Sequence, residues 1–210
     1  MVITIFGASG GIGKHAVDYA LRKGYKVRAY LRNPQRLNIQ HENLSIIQGE
    51  LSDYDSVKKA VEGTNAIIWC VGISMKRHKD REILEAHKVL LRAMKACQVK
   101  RLINWATPSV KFEKDIKSFL TIVPGIGASF MFPDTKKELL EIADLIITSD
   151  LEWTIVRFLM PTDKPAIQNI KISFGEEKIK FGIPRANIGA FMVNQVENST
   201  YIRSMPIIGS

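Results

Sequence analysis

The sequence contains little cysteine and no long apolar run. Only Cys70 and Cys97 occur, which excludes a disulfide framework and favours a reducing, cytoplasmic location. No stretch approaches the roughly 18 apolar residues that a membrane span needs, so we expect no membrane partner. The apolar N-terminus lacks a basic leader and runs directly into a glycine-rich turn, which predicts a first strand rather than a signal peptide.

The sequence also lacks a cluster of basic residues and a pair of histidines spaced to bind a metal. The formal net charge is +9, but the lysines and arginines are scattered, without an arginine-rich block or an aromatic-spaced basic motif. Nucleic-acid binding is therefore not expected, whereas a basic surface that attracts anionic ligands such as phosphorylated cofactors is. His78 and His87 are at no metal-binding spacing and are predicted to be surface residues, so no metal site is predicted.

The first dozen residues carry the clearest motif. An apolar run at residues 2–6 has the length of a buried strand, and residues 14–23 have the periodicity of a helix. Between them lie Gly7, Gly10 and Gly13. In this context the glycines allow a tight turn, close approach of a pyrophosphate and close packing of the helix on the strand. The alternative is an ordinary strand, turn and helix without a ligand.

The loop is accordingly predicted to bind a dinucleotide. The residues expected to contact it are Gly7, Ser9, Gly10, Gly11, Ile12 and Gly13.

The end of the second predicted strand (residues 25–31) indicates which cofactor is preferred. It carries no Asp or Glu, which would accept from a free ribose 2′-hydroxyl, but it is followed by Arg32 and Asn33, with Arg28 and Arg36 nearby. An arginine here pairs with a 2′-phosphate. NADP(H) is therefore predicted over NAD(H), with Arg32 and Asn33 as contacts. The alternative is a solvated arginine.

Further cofactor contacts are predicted where other strands end, because ligands bind at the carboxyl ends of strands in open α/β sheets. These contacts are Glu50 and Leu51 after a third strand at 44–48, and Val71 and Gly72 at the end of a fully apolar fourth strand at 66–71.

The remaining pattern alternates helices and strands, which predicts a parallel sheet. Strands are predicted at 101–105, 153–158, 170–174, 178–181 and 201–208, and helices at 54–62, 79–98, 134–149 and 183–196. Ser52 or Asp53 is expected to cap the first of these helices and Asp134 or Thr135 the third. Residues 175–177, between the strands at 170–174 and 178–181, are predicted to form a hairpin-like turn. Residues 111–133 are predicted to be irregular because Pro and Gly interrupt them, forming either a substrate lid or a loop packed on the core.

Several segments resemble atypical short-chain dehydrogenases/reductases, on the branch of NmrA-like proteins and flavin/biliverdin-IXβ reductases. The sequence Gly7-Ala-Ser-Gly-Gly-Ile-Gly13 resembles that branch's Gly-x-x-Gly-x-x-Gly loop, and Leu31-Arg-Asn-Pro34 its NADP-selecting segment. Gly49-Glu50-Leu51 stands where the branch has Gly-Asp-Leu, Leu151–Arg157 resembles one of its strands, and Ile183–Phe191 resembles a helix start. The resemblance runs nearly from end to end.

The resemblance also shows departures from the family pattern. Family dehydrogenases use a Tyr and a Lys four residues apart with a Ser or Thr donor, but here Phe132 precedes Lys136. Thr107 is the expected hydroxyl donor and Ser109 the second candidate. Asn187 replaces the usual Asp. Alcohol oxidation through a tyrosinate is thus not expected, while cofactor binding is.

The sequence therefore predicts a Rossmann-like α/β fold. We expect a doubly wound parallel sheet with helices on both faces and a small C-terminal extension, forming one NAD(P)-binding domain over residues 1–210. Substrate-side elements are expected within about 108–135 and 159–185. The chain is expected to be a monomer or homodimer acting on a small-molecule substrate.

The predicted function is that of an NADPH-dependent oxidoreductase. It would transfer hydride to a small conjugated acceptor such as a flavin or quinone, since the cofactor itself carries the hydride. Thr107 is expected to hydrogen-bond the nicotinamide carboxamide or the substrate. Lys136 is expected either to hold the nicotinamide ribose or to be a solvated helix lysine. The alternative is a non-catalytic NADP(H)-binding redox sensor or regulator. A nucleotide-sugar epimerase or dehydratase is a weaker third reading, because those relatives need the Tyr.

Overall fold

The structure is a computed structural model that describes residues 1–73 and 81–210. The strands in these residues are β1 (Val2–Phe6), β2 (Lys26–Leu31), β3 (Leu44–Gln48), β4 (Ala66–Trp69), β5 (Arg101–Ala106), β6 (Glu152–Arg157), β7 (Pro161–Thr162), β8 (Lys171–Ser173), β9 (Ile183–Pro184) and β10 (Ile207–Gly209). The helices are α1 (Gly13–Arg22), α2 (Tyr54–Val61), α3 (Glu82–Ala96), α4 (Phe119–Met131), α5 (Pro133–Ile147) and α6 (Arg185–Asn194), with a short 3₁₀ turn at Pro34–Arg36.

Eight strands form one sheet in the order β3-β2-β1-β4-β5-β6-β10-β8. Neighbouring strands from β3 to β10 pair in parallel, and β8 pairs antiparallel with β10 at the edge. The first six positions have the strand order of dinucleotide-binding Rossmann folds. The predicted fold class, including its C-terminal extension of the sheet, is confirmed.

Helices cover both faces of the sheet, because the side chains of each strand alternate between two apolar layers. Ile3 and Ile5 of β1 point into a layer shared with α1 and α6, whereas Phe6 points into a layer shared with α2, α3 and α5. The central strands are apolar on both sides, as buried parallel strands require. No helix within residues 1–73 and 81–210 combines the length and apolar character that crossing a bilayer requires.

Most predicted elements are found within one to three residues of their expected bounds. The buried face of α1 consists of Gly13, Ala16, Val17, Ala20 and Leu21. Asp53 caps α2, where its carboxylate accepts from the N–H groups of Asp55 and Ser56. The predicted start of the next helix, at Lys79, lies outside the described residues.

The prediction of an irregular segment at residues 111–133 is wrong for its second half, which forms α4. The helix begins where the Ser118 N–H donates to the Thr121 hydroxyl at 3.0 Å, and it continues through Pro124. Leu120, Thr121 and Gly125 form its buried side. Tertiary packing along this side overrides the local preference of proline and glycine against helix.

The predicted capping of α5 is also wrong. Phe132 occupies the N-cap without a side-chain hydrogen bond, and Pro133 stands at the first helical position. Proline suits that position because its missing N–H would have no partner within the helix. Thr135 is buried inside the first turn instead.

The predicted hairpin between residues 170–174 and 178–181 is not formed. The first segment contributes β8, which pairs with β10, and the second segment is not a strand. Lys180 exchanges two backbone hydrogen bonds with Ser210, so the C-terminal residues lie between the two halves of the expected hairpin. A pairing this distant in sequence leaves no local pattern from which to predict it.

Candidate dinucleotide-binding site

A cleft of about 1370 Å³ opens at the carboxyl ends of β1, β2 and β4. This is the point where strand order reverses in the sheet, and ligands bind at such points in open α/β folds. Nine of the predicted cofactor contacts line the cleft, namely Gly7, Ser9, Gly10, Arg32, Asn33, Glu50, Leu51, Val71 and Gly72. The structure therefore brings together residues from four separate loops.

The glycine turn is shaped by two close approaches. Gly7 has φ +73°, and a Cβ there would lie 2.7 Å from the backbone nitrogen of Val71. At Gly13 a Cβ would overlap the carbonyl oxygen of Gly7 and lie 2.9 Å from the Cα of Ala8. Both neighbours are backbone atoms that cannot rotate away. Gly7 and Gly13 thus let β1, the end of β4 and the start of α1 meet at one point.

The start of α1 is available to an anion. Its N-cap residue, Ile12, provides no side-chain hydrogen bond. The N–H groups of Lys14 and His15 already donate to the carbonyls of Gly10 and Ile12, whereas the N–H group of Gly13 has no acceptor in the described part of the chain. Ile12 itself packs partly buried against the core, and neither it, Gly11 nor Gly13 lines the cleft. Their predicted role in cofactor binding stays a prediction, and it would act through the backbone rather than through side chains.

Two exposed arginines stand at the other end of the cleft. Arg32 directly follows β2 and Arg36 ends the 3₁₀ turn, whose N-cap is the Asn33 side chain. Within the described part of the chain, neither guanidinium has a hydrogen-bond or ion-pair partner. Arg28, expected nearby, instead donates to the carbonyl oxygen of Glu62 after α2. The free positive charge at this end comes from Arg32 and Arg36.

Tyr30 fixes the part of the cleft lining that lies next to these arginines. Its hydroxyl donates to the Glu50 carbonyl at 2.7 Å and lies 2.8 Å from the Ser56 hydroxyl. Burial raises the pKa of Tyr30, so the phenol stays neutral. Gly49 is required here, because a Cβ would overlap the Tyr30 hydroxyl. The Glu50–Leu51 edge of the cleft is thereby tied to β2.

Helix α3 lines one side of the cleft, and a side chain of α5 caps its first turn. The Glu138 carboxylate accepts from the N–H groups of Ile83 and Leu84 at 3.1 and 3.0 Å, and so caps α3 from another helix. Ile83 and Ala86 then face the cleft. Glu138 is buried, and no local sequence pattern identifies it as a cap.

His87 is buried and not, as predicted, a surface residue. It is 1% exposed, and its ring centre lies 4.2 Å from that of Trp69. Its Nδ1 donates to the Ile83 carbonyl at 2.7 Å, so its Nε2 accepts from the Asn104 amide at 3.0 Å. Burial lowers the pKa of His87 to about 4. The ring is therefore a neutral packing element, and no group of His, Cys, Asp and Glu in residues 1–73 and 81–210 forms a metal site; His78 lies outside those residues.

Of the three predicted catalytic residues, the structure brings two together. The Thr107 and Ser109 hydroxyls lie 2.6 Å apart after β5. Lys136 points elsewhere, donating to the Gly125 carbonyl at 2.9 Å and to the Ser129 hydroxyl at 2.6 Å. None of the three lines the cleft. The lysine thus ties α5 to α4, and its role toward a nicotinamide ribose stays a prediction.

Arg185 is a candidate that the sequence pattern does not reveal. It begins α6, its Nη1 lies 2.7 Å from the Asp163 carboxylate, and its side chain covers Gly11, where a Cβ would meet Nε at 2.9 Å. The guanidinium therefore stands next to the start of α1. Gly11 and Arg185 are far apart in sequence, and only the packing of α6 on α1 places them together.

The sheet order, glycine turn and cleft define a dinucleotide-binding protein of the Rossmann class. The profile of the NAD(P)H-binding family matches residues 7–199, and the chain belongs to that family. The predicted kinship with Rossmann-type NAD(P)-binding reductase-like proteins is thereby confirmed.

Solved structures share the whole fold. ChuY, an anaerobillin reductase from Escherichia coli O157:H7, superposes with a TM-score of 0.80 at 18% identity, covering 100% of this chain and 97% of that one. A short-chain dehydrogenase/reductase from Veillonella parvula, solved in complex with NADP, gives a TM-score of 0.78 at 16% identity, covering 100% and 94%. At these identities the likeness concerns the fold alone.

A curated relative is similar over part of its length. The photosystem II assembly factor Ycf39 of Trieres chinensis is 29% identical over 117 residues, which cover 53% of this chain and 36% of that protein. The Ycf39 of Cyanophora paradoxa is likewise matched over 33% of its length. The match thus spans about a third of these curated relatives.

Proposed function

We propose that this protein is an NADPH-dependent reductase that transfers hydride to a conjugated acceptor such as a flavin or a quinone. The observation that carries the cofactor assignment is the pair of unpaired, exposed arginines, Arg32 and Arg36, at the β2 end of the cleft. A ribose 2′-phosphate would satisfy both charges. The NADP complex of the Veillonella parvula neighbour supports the same cofactor.

The remaining residues fit the rest of a dinucleotide. Gly7 and Gly10 line the cleft and carry no side chain, which leaves their backbone accessible to the diphosphate. Arg185, beside Gly11, would add a cation to the diphosphate by giving up the exposed carboxylate of Asp163. No atom of residues 1–73 and 81–210 lies within 4 Å of the position that a Cβ on Gly72 would take, so these residues would leave the cofactor unobstructed there.

Few polar side chains are expected to act on the nicotinamide end of the cofactor. When bound, NADPH supplies a hydride, and the acceptor takes its accompanying proton from water. The Thr107–Ser109 pair would orient the carboxamide or the acceptor through hydrogen bonds. Phe132 provides no hydroxyl, so the site favours acceptors that need no protonation by tyrosine. ChuY, described as an anaerobillin reductase, shows that a protein of this fold can act as a reductase.

The cofactor preference is tested by replacing Arg32 with alanine. We expect the wild-type protein to bind NADPH at least about tenfold more tightly than NADH, and Arg32→Ala to narrow that ratio by about tenfold, since a charge-assisted contact contributes about 1.5–3 kcal/mol. Fluorescence titration of both cofactors measures the ratio.

Two matched variants sharpen this test. Arg185→Gln is expected to weaken NADPH and NADH equally, because both share the diphosphate. Arg22→Ala removes an exposed arginine on α1 that pairs with Asp18 and should change neither affinity. Equal affinity of the wild-type protein for the two cofactors would overturn the NADP(H) assignment.

A second function is a non-catalytic NADP(H)-responsive regulator. Phe132 in place of the family Tyr favours it, as does the similarity to Ycf39, which is described as an assembly factor. This reading expects NADPH binding without turnover, and a set of captured partner proteins that changes between NADP⁺-loaded and NADPH-loaded protein. Turnover with an acceptor distinguishes the two readings.

A further inference from the structure

Helix α4 presents an apolar face that nothing in the described structure covers. None of its 13 residues is charged. Its outward residues are large and exposed: Phe119, Ile122, Val123, Ile126, Phe130 and Met131. Phe130 is 85% exposed and Phe119 71%. A contiguous apolar surface of this kind marks an interaction site rather than ordinary surface variation.

These outward residues are not displaced core residues. The opposite side of α4 already packs inward through Leu120, Thr121 and Gly125. Lys136 holds the Gly125 carbonyl, and a Cβ at Gly125 would lie 3.9 Å from the Ser109 carbonyl oxygen. The helix therefore packs against α5 and the segment that follows β5, with its apolar side turned outward.

Exposed lysines precede and follow α4 in the sequence. Lys111, Lys114 and Lys117 precede α4 and Lys137 follows it. The acidic residues of the same stretch are Glu113, Asp115 and Asp134, and the Asp115 carboxylate is neutralised by a buried ion pair with Arg157 at 2.5 Å. The flanks thus carry a net positive charge, in agreement with the chain's overall charge of +9.

We propose that α4 docks on the surface of an anionic phospholipid bilayer. The apolar side chains enter the boundary between headgroups and acyl chains, and the flanking lysines contact lipid phosphates, the combination typical of helices that lie in the membrane surface. A second copy of the chain is disfavoured as the occupant, because a two-fold contact through α4 would oppose identical lysine clusters. The expectation of no membrane partner rests on the absence of a membrane span, and this proposal replaces it, because a helix that lies on the bilayer surface needs no span.

The position of α4 also narrows the class of electron acceptor, and this inference rests on the proposed function. The inner side of α4 adjoins Ser109, whose hydroxyl contacts Thr107. An acceptor dissolved in the bilayer would enter beside these hydroxyls. We therefore favour a lipid-soluble quinone over a free flavin as the acceptor.

The docking is tested by co-sedimentation of the full chain with vesicles, without cofactor. We expect binding to vesicles of phosphatidylcholine containing phosphatidylglycerol, weaker binding to phosphatidylcholine alone, and release by salt. Phe130→Ser combined with Met131→Ser should weaken binding at least tenfold, and Lys111→Gln, Lys114→Gln and Lys117→Gln together about as much. Matched controls are Ile46→Thr on β3 and Lys58→Gln with Lys59→Gln on α2, which should bind like the wild type.

Two results would overturn the docking proposal. One is an absence of binding to the anionic vesicles. The other is a dimer, seen by light scattering, that the Phe130 and Met131 double variant dissociates. The quinone step is measured separately: that variant should slow NADPH oxidation by a long-chain quinone in vesicles but leave turnover with water-soluble acceptors unchanged. Failure of all turnover would remove the proposed function and leave the vesicle result standing.

Discussion

Gly13→Ala is expected to abolish measurable NADPH binding. The added methyl would overlap the Gly7 carbonyl oxygen and crowd the Ala8 Cα at 2.9 Å, so α1 must shift away from the glycine turn. The N–H groups at the start of α1 would then no longer meet the diphosphate. Overpacking at a site bounded by backbone atoms should also lower the free energy of unfolding by about 1–3 kcal/mol. NADPH titration and thermal unfolding of the same preparation measure both effects.

The control is Gly127→Ala on α4, where an added Cβ meets no atom of the described residues within 4 Å. Its cofactor affinity should be that of the wild type, and its stability equal or higher by up to about 1 kcal/mol, because alanine favours helix over glycine. A folded Gly13→Ala protein that binds NADPH normally would show that the cofactor does not rest on this turn.

Arg157→Met is expected to destabilise the protein by about 3–5 kcal/mol, the usual cost of breaking a buried ion pair from one side. The Arg157 side chain is fully buried and makes two hydrogen bonds to the Asp115 carboxylate. It also donates to the Val110 carbonyl at 3.0 Å and to the Met205 carbonyl at 2.8 Å. Methionine fills similar space but leaves the Asp115 carboxylate with the Phe112 N–H and no cation, and it removes the Arg157 donors from the Val110 and Met205 carbonyls. Urea unfolding followed by circular dichroism measures the change.

The matched control is Arg22→Met, which breaks a pair with Asp18 in which both side chains are more than half exposed. Exposed pairs contribute about 0–1 kcal/mol, so its stability should change little. If Arg157→Met costs no more than Arg22→Met, then Arg157 does not anchor the segment that leads from β5 to α4, and our description of how α4 is seated would be wrong.

The cofactor half of the site is predictable because it depends on short-range patterns. The apolar run of β1, three spaced glycines and the periodicity of α1 fix the turn locally. The parallel order of the strands then brings Arg32, Glu50 and Val71 to one edge, since carboxyl ends of parallel strands lie together. Each of these residues is identified from its position at the end of a strand.

The other half depends on contacts between distant segments. Pro124 and the glycines around it argue against α4 locally. Contacts with other segments hold the helix, among them the hydrogen bond from Lys136 to the Gly125 carbonyl and the approach of Gly125 to Ser109. Arg185 reaches Gly11 through the crossing of α6 and α1. Burial of His87 follows from its contact with Trp69 and Asn104. Such partners are not visible in a single sequence.

Turnover is the most direct test of the central claim. Purified wild-type protein is mixed with NADPH and a panel of FMN and short- and long-chain quinones, and NADPH oxidation is followed by its absorbance, with an equal measurement of NADPH binding. We predict oxidation with at least one of these conjugated acceptors, and a raised KM for NADPH in Arg32→Ala with little change in kcat. Tight NADPH binding without oxidation by any acceptor would contradict the reductase proposal and leave the regulatory reading in its place.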